Sequence, residues 1–142
     1  MPNKPARIII DTNLWISFLI TKNYTLIDTL LLSEDIVILF SKELLSEFLN
    51  VTSRLKFRKY FSEELVTSLI LEINKHVDDV NVETKITICR DEKDNFLLGL
   101  ALDGNADYLI TGDSDLLELG RIAQTKITTI KGFLADISDL TF

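Results

Sequence analysis

Short runs of consecutive apolar residues alternate along this chain with longer stretches in which apolar positions recur every three or four residues. ARIII at 6–10, IVILF at 36–40 and YLIT at 108–111 are runs of the first kind. Each is too short for a helix, rich in β-branched or large apolar residues and apolar on both faces, the signature of a strand buried on both sides. KITTI at 126–130 reads as a fourth such strand. A weaker, alternating strand is expected around Val80 to Val82, with Ile86 and Ile88 extending it.

Between these runs the period lengthens. Asn13 to Ile20 and Tyr24 to Leu32 read as helices, broken around Thr21 to Asn23. Ser41 is placed to cap a helix whose Leu44, Leu45, Phe48, Val51 and Leu55 share one stripe, with Glu43 favourable in its first turn. Ser62 begins another, to His76, with Glu63 and Glu64 in the first turn and Leu65, Val66, Leu69, Ile70 and Ile73 at helical spacing. Phe96, Leu97, Leu100 and Ala101 form a helix that stops near Gly104, and a short one starts at about Gly132.

Strands alternating with helices, the strands buried on both faces, predict a three-layer α/β/α sandwich around a mostly parallel sheet. The chain has 142 residues, enough for one domain with a real core and too few for two. One domain over 1–142 is therefore expected, its core at about residues 6–137, with no linker and no repeat.

In such a fold the functional crevice lies beyond the carboxyl ends of the strands. Asp11 follows the first strand directly, and Asp113 follows YLIT after only Gly112. Asp94 opens the helix before YLIT, and a helix returning to the sheet starts at that same edge. Glu47 is six residues past Ser41, about 9 Å along its helix, and about 60° from Leu44 on a 100° wheel, at the border of the apolar stripe. Taken singly, each acid also fits a plain role: Asp91 or Asp94 as a helix cap, Asp113 in an Asx turn, Glu47 on the surface. Gathered together they repel one another, so folding would not assemble them for stability. One or two Mg²⁺ or Mn²⁺ ions are the natural counter-charge for such an all-oxygen set.

Composition sharpens that chemistry. His76 is the only histidine and lies far from these motifs, which leaves imidazole-based nuclease and Ser/His/Asp mechanisms poorly supported. Metal-assisted phosphodiester hydrolysis remains. Cys89 is the only cysteine, excluding an internal disulfide or a Cys-cluster zinc site, and reads as a core thiol. The apolar run Ile8 to Ile10 is too short for a signal sequence or a membrane span, so the expected compartment is the cytoplasm. A net charge of −7 argues against a nucleic-acid partner unless the positive charge is local. RLKFRKYF is the best local candidate: Arg54, Lys56, Arg58 and Lys59 interleave with Phe57, Tyr60 and Phe61. It can bind phosphates and stack bases, or be a solvated helix end whose aromatics pack on the next helix.

IIIDTN, the Glu47 of ELLSEF, RDEKDNFLLGLAL and ADYLITGDSDLL resemble, in order, the four acidic motifs of PIN-domain nucleases, over about residues 6 to 137. The chain looks most similar to VapC-like toxins of toxin–antitoxin pairs. The resemblance implies a divalent-metal-dependent endoribonuclease that leaves 5′-phosphate and 3′-hydroxyl ends. It implies Asp11, Glu47, Asp94 and Asp113 as the metal-binding, catalytic acids and Asp115 as an accessory ligand. It gives Asp91 a supporting or capping role, and Thr12, Asn13, Thr111 and Ser114 the task of orienting carboxylates and waters. An antitoxin and a homodimer are the protein partners it implies, the latter with apolar helix surface between Leu14 and Leu32 available. Two other classes stay open: a non-catalytic RNA-binding or regulatory PIN-like module, and an aspartate-based phosphoryl-transfer protein. The second fits less well, because its pattern wants Asp two residues after the nucleophile, where this chain has Asn13.

Overall fold

A computed structural model describes residues 4–54 and 57–140. The described elements run β1 (Ala6–Ile10), α1 (Thr12–Ile20), α2 (Tyr24–Leu32), β2 (Ile36–Phe40), α3 (Lys42–Thr52), α4 (Glu63–Asn74), β3 (Val77–Asp79), α5 (Glu92–Asp103), β4 (Tyr108–Ile110), α6 (Ser114–Leu119), β5 (Arg121–Ile122), β6 (Thr125–Thr128) and α7 (Ile130–Leu140). They form a three-layer α/β/α sandwich around one sheet of order β3-β2-β1-β4-β6-β5. Every pairing is parallel except β5 with β6.

Strand burial explains why the sheet is parallel and central. Ile8, Ile9 and Ile10 are fully buried, as are Leu39, Leu109 and Ile110, so these strands have no solvent face. Trp15, Leu30, Leu44, Phe48, Leu98, Leu100 and Phe133 cover them from the helices. The chain leaves β1 toward β2 and β3 on one side, then crosses to β4 and β6 on the other. Because parallel crossovers are right-handed, this reversal sends α1–α4 to one face and α5 and α6 to the opposite one. The gap between β1 and β4 is thus the topological switch point, where the crevice of such a sheet opens.

Ser41 and Ser62 cap α3 and α4 through their hydroxyls, as their sequence contexts predict. Four expectations need correction. No strand covers Val80 to Val82; β3 lies just before it, and residues 80–87 run as an extended strap without strand pairing. Glu83 N–H and Thr84 N–H donate to the Asp103 carboxylate, and the Thr84 carbonyl lies where a Cβ on Gly99 would stand. The strap leaves the sheet after Val80, whose N–H still donates to Phe40 O of β2, and then lies along α5, held there by the Asp103 side chain. Cys89 sits in the bend that ends this strap, half-buried, not in a strand. The last parallel strand is Thr125–Thr128, preceded by β5 in a tight hairpin with Ala123 at φ 49°, and the final helix begins at Ile130. α6 was not expected at all. Leu55 and Lys56 lie outside the described residues.

Candidate metal centre

Asp11 lies where β1 ends. Its backbone N–H still donates to Ile110 O of β4, while its side chain already caps α1 by accepting from Asn13 N–H. Asp113 caps α6 in the same way, accepting from Asp115 N–H at 2.8 Å. The buried hydroxyl of Thr111 ties the two neighbouring strand ends together. It donates to Asp11 Oδ2 at 2.8 Å and accepts from Asp113 N–H at 3.0 Å.

From the other side, α5 contributes Asp94. Asp91 caps that helix, is exposed, and accepts from Lys93 N–H, whereas Asp94 is only 4% exposed. One carboxylate oxygen each from Asp94, Asp113 and Asp115 lie within 4.8 Å of one another. Asp94 Oδ2 is one of two buried side-chain polar atoms without a hydrogen-bond partner among the described residues, the other being Trp15 Nε1. Burial, and then the charges of Asp113, Asp91, Asp11 and Asp115, push the Asp94 carboxyl up to about 6. A carboxylate buried without a donor and surrounded by like charge is unfavourable to ionise, and a cation is what reverses that.

Glu47 approaches from α3. The buried Thr12 hydroxyl donates to its Oε2 at 3.4 Å, and Lys93 Nζ lies 3.3 Å from its Oε1. Asp115 is held by Arg90, whose Nη2 donates to both carboxylate oxygens at 3.0 and 2.8 Å. The structure thus gathers Asp94, Asp113 and Asp115 directly, joins Asp11 to them through Thr111, and links Glu47 through Thr12 and Lys93. Asn13 is exposed and contributes its backbone N–H; Ser114 is exposed at the start of α6. Arg90 and Lys93 escaped the sequence reading. The signal was present, since both precede Asp94 within RDEKD, Lys93 directly.

The basic segment after α3 differs from its expected form. Arg54, Arg58 and Lys59 are exposed, but Phe61 is buried in the core and Phe57 packs against it at 6.2 Å. Those two rings are committed to packing, not to stacking bases. Tyr60 alone of the three aromatics is exposed, with Lys59 Nζ 5.0 Å from its ring centroid.

The acids thus stand at the switch point of a mostly parallel α/β sheet. Residues 7–115 match the PIN domain, and the chain belongs to that family. PIN domains are typically nucleases that use divalent metals and act on nucleic acids. Over 117 residues the chain is 33% identical to the uncharacterized protein MJ1680 of Methanocaldococcus jannaschii, covering 80% of this chain and 74% of the relative. No solved structure matches the chain. Among the described residues no helix is long and apolar enough to cross a membrane.

Proposed function

We propose that this protein is a divalent-metal-dependent endoribonuclease acting in the cytoplasm as the toxin of a toxin–antitoxin pair. One observation carries the nuclease reading: Asp94 keeps a buried carboxylate oxygen without a partner, beside Asp113 and Asp115. The donor set is all oxygen, which fits Mg²⁺ or Mn²⁺. Asp11, Glu47, Asp94, Asp113 and Asp115 would hold one or two such ions. When bound, the ion supplies a water of lowered pKa and neutralises charge that builds on the scissile phosphate.

The chain's own groups do the rest. Thr111 fixes the Asp11 carboxylate and Thr12 steadies Glu47, so both acids are oriented before substrate arrives. His76 directly precedes β3 and so lies at the amino edge of the sheet, opposite the acids. Proton acceptance therefore falls to water and carboxylates at the carboxyl edge.

The toxin role rests on the likeness of the four motifs to VapC-like toxins, and a cognate antitoxin and a homodimer are the partners it brings. Incubation with single-stranded and structured RNAs and Mg²⁺ or Mn²⁺ should yield 5′-phosphate and 3′-hydroxyl ends. Asp11→Asn and Asp94→Asn should each lower the rate by roughly a hundredfold or more, and should relieve growth arrest on expression. Equal cleavage by both variants would expose a contaminant. Failure to cut any RNA would favour a non-catalytic binding module.

A further inference from the structure

An acidic cleft repels the polyanion it is meant to cut, and the chain as a whole carries a net charge of −7. Among the described residues, the site acids form ion pairs with only two cations, Arg90 on Asp115 and Lys93 on Glu47. Arg90 stands just before the Asp91 cap of α5 and Lys93 in the first turn, yet they reach acids on different elements, α6 and α3.

Neither is explained by stability. The Arg90 side chain is 85% exposed and that of Lys93 57% exposed, and ion pairs this open contribute little. Lys93 stands in the first turn of a helix, where the helix dipole disfavours a positive charge. The backbone nevertheless goes to some length to present Arg90. Asn95 is buried, and its side-chain amide accepts from Cys89 N–H at 2.8 Å and donates to Cys89 O at 3.1 Å. That clamp fixes the residue immediately before Arg90. Only Nη2 of the guanidinium is engaged with Asp115, so its other donors face outward.

We propose that Arg90 and Lys93 are the contacts for the RNA phosphate backbone at this cleft, held by Asp115 and Glu47 until cation and substrate enter. The proposal rests on the nuclease reading and names the groups that bind its substrate. A divalent ion bound by the carboxylates weakens both ion pairs, and the released guanidinium and ammonium turn to the phosphates flanking the scissile bond. Arg suits this role through its planar fork of donors and Lys as a point charge.

The test uses the full chain as wild type, Arg90→Gln, Lys93→Gln and the double variant. Binding of a short fluorescein-labelled single-stranded RNA is measured by anisotropy in Ca²⁺ across a NaCl series, and Mn²⁺ binding by calorimetry. Each single substitution should weaken RNA binding about three- to tenfold. Each should also lower the slope of log affinity against log salt by about 0.7, the value for one phosphate contact on a single strand. Mn²⁺ affinity should hold or tighten, because Asp115 and Glu47 lose competing cations. Wild-type RNA affinity and slope in both variants would overturn the proposal while leaving cleavage by the wild type intact. Loss of Mn²⁺ binding in the variants would also overturn it, by showing that the pairs only position carboxylates. A wild type that neither binds nor cuts RNA defeats the nuclease reading as well.

Discussion

At Asp94 two effects act in the same direction: burial removes water from the carboxylate, and Asp113, Asp91, Asp11 and Asp115 surround it with like charge. Its proton is therefore held to about pH 6 in the folded chain, against the usual carboxylate value near 3.9 when unfolded. The native state binds more protons than the unfolded state across that window, so without divalent ions stability falls as pH rises from about 4 to 6. The loss is then complete at neutral pH and amounts to something on the order of 3 kcal/mol. Asp94→Asn removes the ionisation and keeps the shape. In chelator, its urea midpoint should exceed that of the wild type at pH 7 and converge with it near pH 4.5. Parallel midpoints at both pH values would mean that the carboxyl is not desolvated in the native state. Sequence position brought Asp94 to the right edge of the sheet, but its burial was not legible there. That depends on the cap at Asp91, which leaves position 94 facing inward on the first turn of α5.

The elements divide into those set by local pattern and those set by what packs on them. β1, β2 and β4 were legible because β-branched and aliphatic runs buried on both faces have few alternatives, and the caps at Ser41 and Ser62 because their hydroxyls satisfy helix N–H groups locally. The segment at 80–88 misled because its alternating Val80, Val82, Ile86 and Ile88 imitate a strand. Its partner is a helix instead: Asn95, Gly99 and Asp103, four residues apart on α5, form the track that receives it. Gly99 sits mid-helix, where replacement by Ala ordinarily adds about 1 kcal/mol. Here the new Cβ would come within 2.6 Å of the Thr84 carbonyl oxygen, a backbone atom that cannot rotate away. Overpacking of that kind costs about 1–3 kcal/mol, so Gly99→Ala should destabilise the protein on balance, by about 1–2 kcal/mol in urea unfolding. Because the strap delivers Arg90 to Asp115, RNA binding should weaken with it. A gain in stability would show that the strap does not ride on α5.

For the molecule as a whole, the acids at one sheet edge and the net charge of −7 make two contributions to cation response that must be separated. Any salt relieves general self-repulsion by screening, over a Debye length of about 10 Å at 0.1 M. A specific centre adds a term that grows with ligand concentration, about 2.7 kcal/mol at a hundred times the dissociation constant. For a domain of this size that is a rise of roughly 10 °C in melting temperature. Mg²⁺ or Mn²⁺ should therefore raise the melting temperature well beyond NaCl at matched ionic strength. Asp113→Asn, which removes a charge from the grouped carboxylates and leaves the global charge nearly unchanged, should abolish the excess. Lowering the pH to about 5, below the value at which Asp94 gives up its proton, should shrink it, since the ion must then displace that proton. Glu43, exposed on the same helix as Glu47, supplies the control: Glu43→Gln removes the same charge outside the cluster and should leave the excess in place. Equal shifts in divalent and monovalent salt would reduce the acidic edge to a surface charge effect, and equal loss in Asp113→Asn and Glu43→Gln would do the same. A shift confined to divalent ions and lost only on substitution within the cluster would locate the centre at the switch point between β1 and β4.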